Sequence, residues 1–398
     1  MSYYQSRALS GRHFLQIPGP SNVPDRVLRA IGNATMDHRG PDFGKMGTEI
    51  LQNLPKIFQT IGPVLIFPSS GTGAWEAALT NTLSPGDTVL MARTGQFAVL
   101  WEDMARRLGL QPIMLDTDWR HGADPQLIAA ELEKDKTHRI QAVCVVHCET
   151  STGCITRIEE VRAAMDAAKH PALLIVDAIS SLAAMEVRHD AWGVDVTIAG
   201  SQKAMMMPPG LSFNAVSERA LAAAQTAKLP HAYFDWDAML EINSTGYFPY
   251  TPAISLLYGL NEAIKMMLEE GLENVYARHD RFGEACRRAA AAWGLDNNCL
   301  DAREFSSSVT TLLTPEGHSA NNLRAVILEK FNMSLGTGLG VLSDKAFRIG
   351  HLGYLNDLTL VGTLGGVEMG MAVAGVPHKP GGVQAALEFL AGNARAVA

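Results

Sequence analysis

Four short segments carry side chains whose types and neighbours could do chemistry. PSSGTGAWEAALTNTL places Ser69, Ser70, Gly71, Thr72 and Gly73 directly before an apolar-periodic helix. Small residues let backbone N–H groups approach an anion, the helix dipole favours negative charge, and the hydroxyls add donors. A phosphate cradle fits this segment; so does a plain helix cap, since it is neither GxGxxG nor a Walker loop. Asp177 ends the aliphatic run ALLIVD. There a carboxylate can face a cation such as a protonated ring nitrogen, or simply cap the next turn. Lys203, in GSQKAMMMPPG, follows another apolar run. Its uncharged setting would depress the amine's pKa and free it for Schiff-base chemistry, although an isolated lysine is seldom catalytic. Arg348 sits inside the short apolar strand AFRIG. A buried guanidinium calls for a planar carboxylate, belonging either to a substrate or to a structural ion pair.

The order of the four says more than any one of them. Pyridoxal phosphate chemistry needs an anchor for the phosphate, a carboxylate for the pyridine nitrogen, an amine, and a clamp for an amino acid's carboxylate. The chain offers these in that succession.

Parallel sheets hold their ligands beyond the carboxyl ends of their strands, so the four segments demand an α/β scaffold. From about Ile61 to Ala222 the runs TVLMA, AVCVVH, ALLIVD and VDVTIAG read as buried strands, separated by helical patterns such as WEDMARRLG, DPQLIAAELEKD and RIEEVRAAMDAAKH. After the turn-rich stretch Asn243 to Pro252, a helical pattern from Ile254 through Trp293 leads into a smaller α+β region. That region comprises SVTTLLTP, NNLRAVILEKF, SLGTGLG, AFRIGHLG and a final helix TLVGTLGGVEMGMAVAG. The division expected is 1–253 for the N-terminal segment and large domain, and 254–398 for the linking helix and small domain.

Composition removes other classes. With 398 residues, 47% of them hydrophobic, the chain can build a substantial core, which excludes disorder and small stapled scaffolds. Its net charge of −8 and scattered lysines and arginines argue against a nucleic-acid surface. Five cysteines, an odd count, suit free thiols, and no apolar run is long enough for a signal sequence or membrane span. A cytoplasmic protein that binds neither nucleic acid, membrane nor metal is expected.

The residues also resemble the class V aminotransferases of the fold-type I pyridoxal phosphate enzymes, in particular the serine–glyoxylate and alanine–glyoxylate branch. The likeness runs through PGPSNVP, DHRGPDF, FPSSGTGAWEAALTNTLSPGD, GQFAVLW, HCETSTG, VDAISS, GSQKA, FPYTP and FRIGHLG. It implies a large domain with a mainly parallel seven-stranded sheet, a smaller C-terminal α+β domain, and a homodimer with active sites at the subunit interface. Lys203 would carry the cofactor and shuttle the proton, Asp177 would pair with the ring nitrogen, and Phe97 would stack where relatives often carry tryptophan. Gly71, Thr72, Gly73 and Gln202 would hold the phosphate, with Thr150 near the ring hydroxyl. Tyr247 and Thr251 would come from the partner, and Arg348, helped by backbone around Gly19, would clamp the substrate carboxylate. The reaction implied takes an amino acid and a 2-oxo acid: L-serine with glyoxylate, or alanine or aspartate as donor.

Other conspicuous residues have plainer readings. Met205 to Met207 read as core filler or interface, and His147 and Glu149 as groups acting through others. Trp75 and Trp101 read as helix packing, with Trp75 near enough to the glycine loop to line a pocket; His38 and Arg39 face either substrate or solvent. Two rivals remain. A lyase or desulfurase on the same scaffold would need a nucleophilic cysteine on a loop, whereas Cys286 and Cys299 fall in helical or turn context. A nicotinamide dehydrogenase or binding protein would need a dinucleotide fingerprint that no acidic residue completes.

Overall fold

A computed structural model describes residues 11–394. Its centre is a seven-stranded sheet whose strands lie, edge to edge, in the order Val64–Phe67, Ser212–Val216, Val196–Gly200, Leu173–Asp177, Ile140–Val146, Thr88–Arg93 and Gln111–Asp116. Ser212–Val216 runs antiparallel to both neighbours and the other pairings are parallel. The inner strands Leu173–Asp177 and Val196–Gly200 are buried at every position, as expected where helices cover both faces. Two apolar layers result. One packs Gly71–Thr82 and Gln96–Arg107 on one face, with Trp75 stacked on Trp101 at 5.7 Å. The other face is covered in part by Pro125–Lys134 and Ile158–Ala167 and in part by Pro41–Phe58 and Ile254–Glu270.

The smaller sheet is four-stranded, in the order Phe14–Gln16, Met333–Thr337, Ala346–Gly350, Val309–Leu313. Its first strand comes from the N-terminal segment and pairs in parallel with Met333–Thr337. Helices Leu272–Trp293, Ala320–Phe331 and Asp357–Ala374 share its apolar core.

Three features differ from the sequence expectation. The helical run from Ile254 to Trp293 is two helices, because Gly271 takes φ +79°, a left-handed conformation that breaks the ladder. Asp357–Ala374 is not the last helix: Gly382–Gly392 follows and packs on Leu272–Trp293. The three residues of Phe14–Gln16 are too few to show a strand period, and they form a strand because an edge is there to receive them. Among the described residues no helix is long and apolar enough to cross a membrane.

Candidate active site

Because the strands ending at Phe67, Arg93, Val146, Asp177 and Gly200 point the same way, the loops after them meet at one end of the sheet. There they enclose a cavity of about 230 Å³. Gly19, Gly71, Thr72, Phe97, Thr150, Asp177, Gln202 and Lys203 all contribute to its wall.

Lys203 lies in the turn after Val196–Gly200 and is buried. Its Nζ donates to the Pro18 carbonyl oxygen at 2.5 Å. Ser21 ties the N-terminal segment down over it: its N–H donates to the Gln202 carbonyl at 2.9 Å and its hydroxyl to the Lys203 carbonyl at 2.7 Å. Gly19 has φ +112°, and a Cβ there would come within 2.5 Å of Lys203 Cδ, so only glycine lets the segment close on the lysine. Burial, reinforced by the positive charge of Arg348, pulls the Lys203 amine down to about 8.

Asp177 is buried and receives two hydrogen bonds, from the Ile179 N–H at 2.7 Å and from Trp75 Nε1 at 3.0 Å. Burial nevertheless pushes its carboxyl up to about 7, with the Ile179 N–H opposing. Such a group is short of a cation. The helix beginning at Gly71 carries no side-chain cap at Ser70, so its leading N–H groups stay available at the cavity wall. Gly73 is set back: its missing Cβ makes room for Ser69 Oγ, 2.6 Å from where that carbon would stand. Gln202 Oε1 is buried without a partner.

Arg348 stands beside the cavity, reached through Thr150. Its Nη1 donates to the Thr150 carbonyl and its Nε to the Thr337 carbonyl, both at 2.8 Å. Among the described residues it has no carboxylate within ion-pair distance, and burial draws its pKa down to about 10. The structural ion pair left open by the sequence is therefore not made. The Thr150 hydroxyl bonds the Ser180 hydroxyl, drawing two adjacent strand ends together.

Tyr247 and Thr251 do not reach this cavity from their own chain. The Tyr247 ring stacks on Phe43 at 6.2 Å, and Thr251 is exposed. His38 and Arg39 also lie outside the wall, and Met205, Met206 and Met207 are core residues. The wall includes residues not singled out as site members, Pro20, Cys148, Ile179 and Ser180 among them. Each lies within three positions of a predicted site residue, so adjacency was the available signal. Trp75, placed near the pocket by its closeness to the glycine loop, does line it, and its bond to Asp177 from one turn inside the helix is what only the fold shows.

Residues 13–340 match the family model described as aminotransferase class V. The chain belongs to the class V aminotransferases. This aminotransferase is 48% identical to a serine–glyoxylate aminotransferase of Methylorubrum extorquens, over 96% of this chain and 97% of that one. It is 45% identical to an L-aspartate–glyoxylate aminotransferase of Paracoccus denitrificans, over 94% of each. The crystal structure of pyridoxamine–pyruvate aminotransferase from Mesorhizobium loti superposes with a TM-score of 0.90 at 27% identity, covering 96% of this chain and 97% of that one. The class V aminotransferase is pyridoxal phosphate dependent, and its own residues fit that group. A buried amine, a buried carboxylate lacking a cation, an uncapped helix start and an unpartnered side-chain amide face one cavity. Its substrates are small amino acids and 2-oxo acids.

Proposed function

We propose that this class V aminotransferase moves the amino group of L-serine to glyoxylate, giving hydroxypyruvate and glycine in a ping-pong reaction. The observation that carries the reading is the buried Lys203 amine opposite the buried Asp177 carboxyl in one cavity, with an unpaired guanidinium next to it. When bound, pyridoxal phosphate supplies the carbonyl that accepts and hands on the amino group, and the ring that absorbs the negative charge developing at Cα.

The chain's residues then divide the work. Lys203 would hold the cofactor and take the proton from the substrate's Cα; an amine at about 8 is close enough to neutrality for general-base work. Asp177, held by Ile179 N–H and Trp75 Nε1, keeps the ring nitrogen protonated. Gly71, Thr72 and Gln202 receive the phosphate, with Gly73 shaping the turn, while Phe97 forms the ring's stacking wall and Thr150 faces the ring hydroxyl. Arg348, aided by backbone at Gly19, orients the substrate carboxylate. Tyr247 and Thr251 complete the phosphate end of a partner's site in a homodimer, which is supported by their position away from their own cavity. Free cysteines throughout suit a reducing, cytoplasmic setting.

Serine is preferred over aspartate because Lys203 is the only cation in the cavity wall among the described residues. With Arg348 engaged by the α-carboxylate, a second carboxylate would meet no further cation among the described residues of the wall. Alanine is the nearer competitor, since a pocket that merely tolerates a hydroxyl discriminates by only about 10²-fold. Initial rates with serine, alanine and aspartate, each against glyoxylate and pyruvate, test the assignment. Aspartate turning over faster than serine would replace it. Borohydride should fix the cofactor on Lys203, and labelling anywhere else would remove the lysine's assigned role.

A further inference from the structure

Beside the cavity, one buried acid stands outside the division of labour above. Glu149 is 1% exposed and lies between the strand end at Val146 and Thr150. Its Oε2 accepts the N–H groups of Phe97 and Ala98, at 3.2 and 3.1 Å, in the first turn of helix Gln96–Arg107. Its Oε1 accepts the Ser151 N–H at 3.0 Å and the Ser151 hydroxyl at 2.6 Å, and Ser151 Oγ in turn accepts the Gln96 N–H at 2.9 Å. The fit is close. A Cβ on Gly95 would come within 2.4 Å of Glu149 Cγ, so the helix start rests directly on this side chain.

These contacts join two parts of the site that the fold brings from different strands. Phe97 belongs to the wall over the cavity, while Thr150, the next residue after Glu149, offers its carbonyl to Arg348. The carboxylate therefore ties the stacking wall to the guanidinium. It also lies within electrostatic reach of Lys203, Asp177 and Arg348, and it favours the charged form of the arginine against desolvation. A helix cap needed only for stability would be met by an exposed serine or aspartate at the cap position. Burying a glutamate here is costly, and burial raises its own pKa against four opposing hydrogen bonds.

We propose that Glu149 is a positioning residue for the transamination: by bonding the Phe97 and Ala98 amides and Ser151 at once, it sets the ring wall at a fixed distance from the Arg348 clamp. The inference rests on the functional reading above, for it presumes that the cofactor ring lies against Phe97. Glu149→Gln keeps the volume but turns an NH₂ toward backbone donors that need an acceptor.

The test compares loaded wild-type, Glu149→Gln and Glu149→Asp proteins, measuring the dissociation constant for pyridoxal phosphate by tryptophan quenching and the visible circular dichroism of the bound cofactor. Glu149→Gln should weaken cofactor binding roughly tenfold to a hundredfold, the fold-change that corresponds to losing a hydrogen bond to a charged group. The cofactor's dichroism should fall with it, and Glu149→Asp should recover part of both. An unchanged dissociation constant and spectrum, with only a lower melting temperature, would overturn the proposal. If Glu149→Gln does not fold, Ser151→Ala serves, since it deletes one donor to Glu149 and the acceptor for Gln96 N–H. It should weaken binding about threefold or more, and no change there overturns the proposal equally. Failure of the wild-type protein to bind pyridoxal phosphate would instead sink the functional reading, so the two failures are distinguishable.

Discussion

Replacing Arg348 isolates the carboxylate clamp from the rest of the cavity. Its guanidinium is buried, holds two backbone carbonyls at 2.8 Å, and has no carboxylate of its own among the described residues. In the proposed reading its partner is a substrate carboxylate. Truncating one member of a buried, hydrogen-bonded charge pair costs about 2–5 kcal/mol, which at about 1.4 kcal/mol per decade is roughly 30-fold to several thousandfold in kcat/KM. Arg348→Ala should lose that much on serine. Arg348→Lys should fall in between, because an ammonium keeps the charge but cannot reproduce the planar fork. Part of any loss could come from releasing Thr150, so the control is an amine without a carboxylate, ethanolamine, followed by single-turnover change of the cofactor's absorbance. Its rate should be nearly the same in wild type and Arg348→Ala. Serine turnover unaffected by Arg348→Ala, or an equal loss on ethanolamine, would refute the clamp.

Three further outcomes are expected. Lys203→Met should abolish multiple turnover while stabilising the cofactor-free protein at pH 7, by an amount of order 3 kcal/mol from a pKa depressed from 10.5 to about 8. The sign follows because the unfolded chain binds that proton more readily than the folded one; the gain is full below pH 8, fades as pH rises from 8 to 10.5 and is nearly gone beyond, which urea melts at pH 7 and pH 10.5 would detect. Trp75→Phe keeps the stack on Trp101 but deletes the N–H at 3.0 Å from Asp177, so it should move the Asp177 carboxyl further up and weaken cofactor affinity about tenfold, as read by titration with pyridoxal phosphate. Gly19→Ala combines a positive φ with a Cβ within 2.5 Å of Lys203 Cδ; it should cut turnover at least tenfold, whereas Gly86→Ala, which also has positive φ but open space around it, should affect only stability.

Much of the scaffold was legible in the chain because buried parallel strands write themselves as uninterrupted aliphatic runs. ALLIVD and VDVTIAG have few other readings: the first ends at Asp177, which lines the cavity, and the second ends two residues before Gln202, which does so too. Phe14–Gln16 and Gly382–Gly392 were not legible, the first because three residues hold no period, the second because a docking surface decides its fate. The same contrast holds in the site. Lys203, Asp177 and the glycine loop declared themselves by residue type at a strand end, where chemistry is a local property of the sequence.

What the amino-acid order settled, then, was which groups could react and on which strand ends they would sit, since side-chain type and hydrophobic period are read over a few neighbours. Only the folded chain decided what surrounds them. Trp75 meets Asp177 across 102 positions, Lys203 meets the Pro18 carbonyl across 185 and Arg348 meets that of Thr150 across 198. Burial and electrostatic environment are sums over such distant neighbours, so the depressed lysine, the raised aspartate and the unpaired arginine exist only once the strands have been brought side by side.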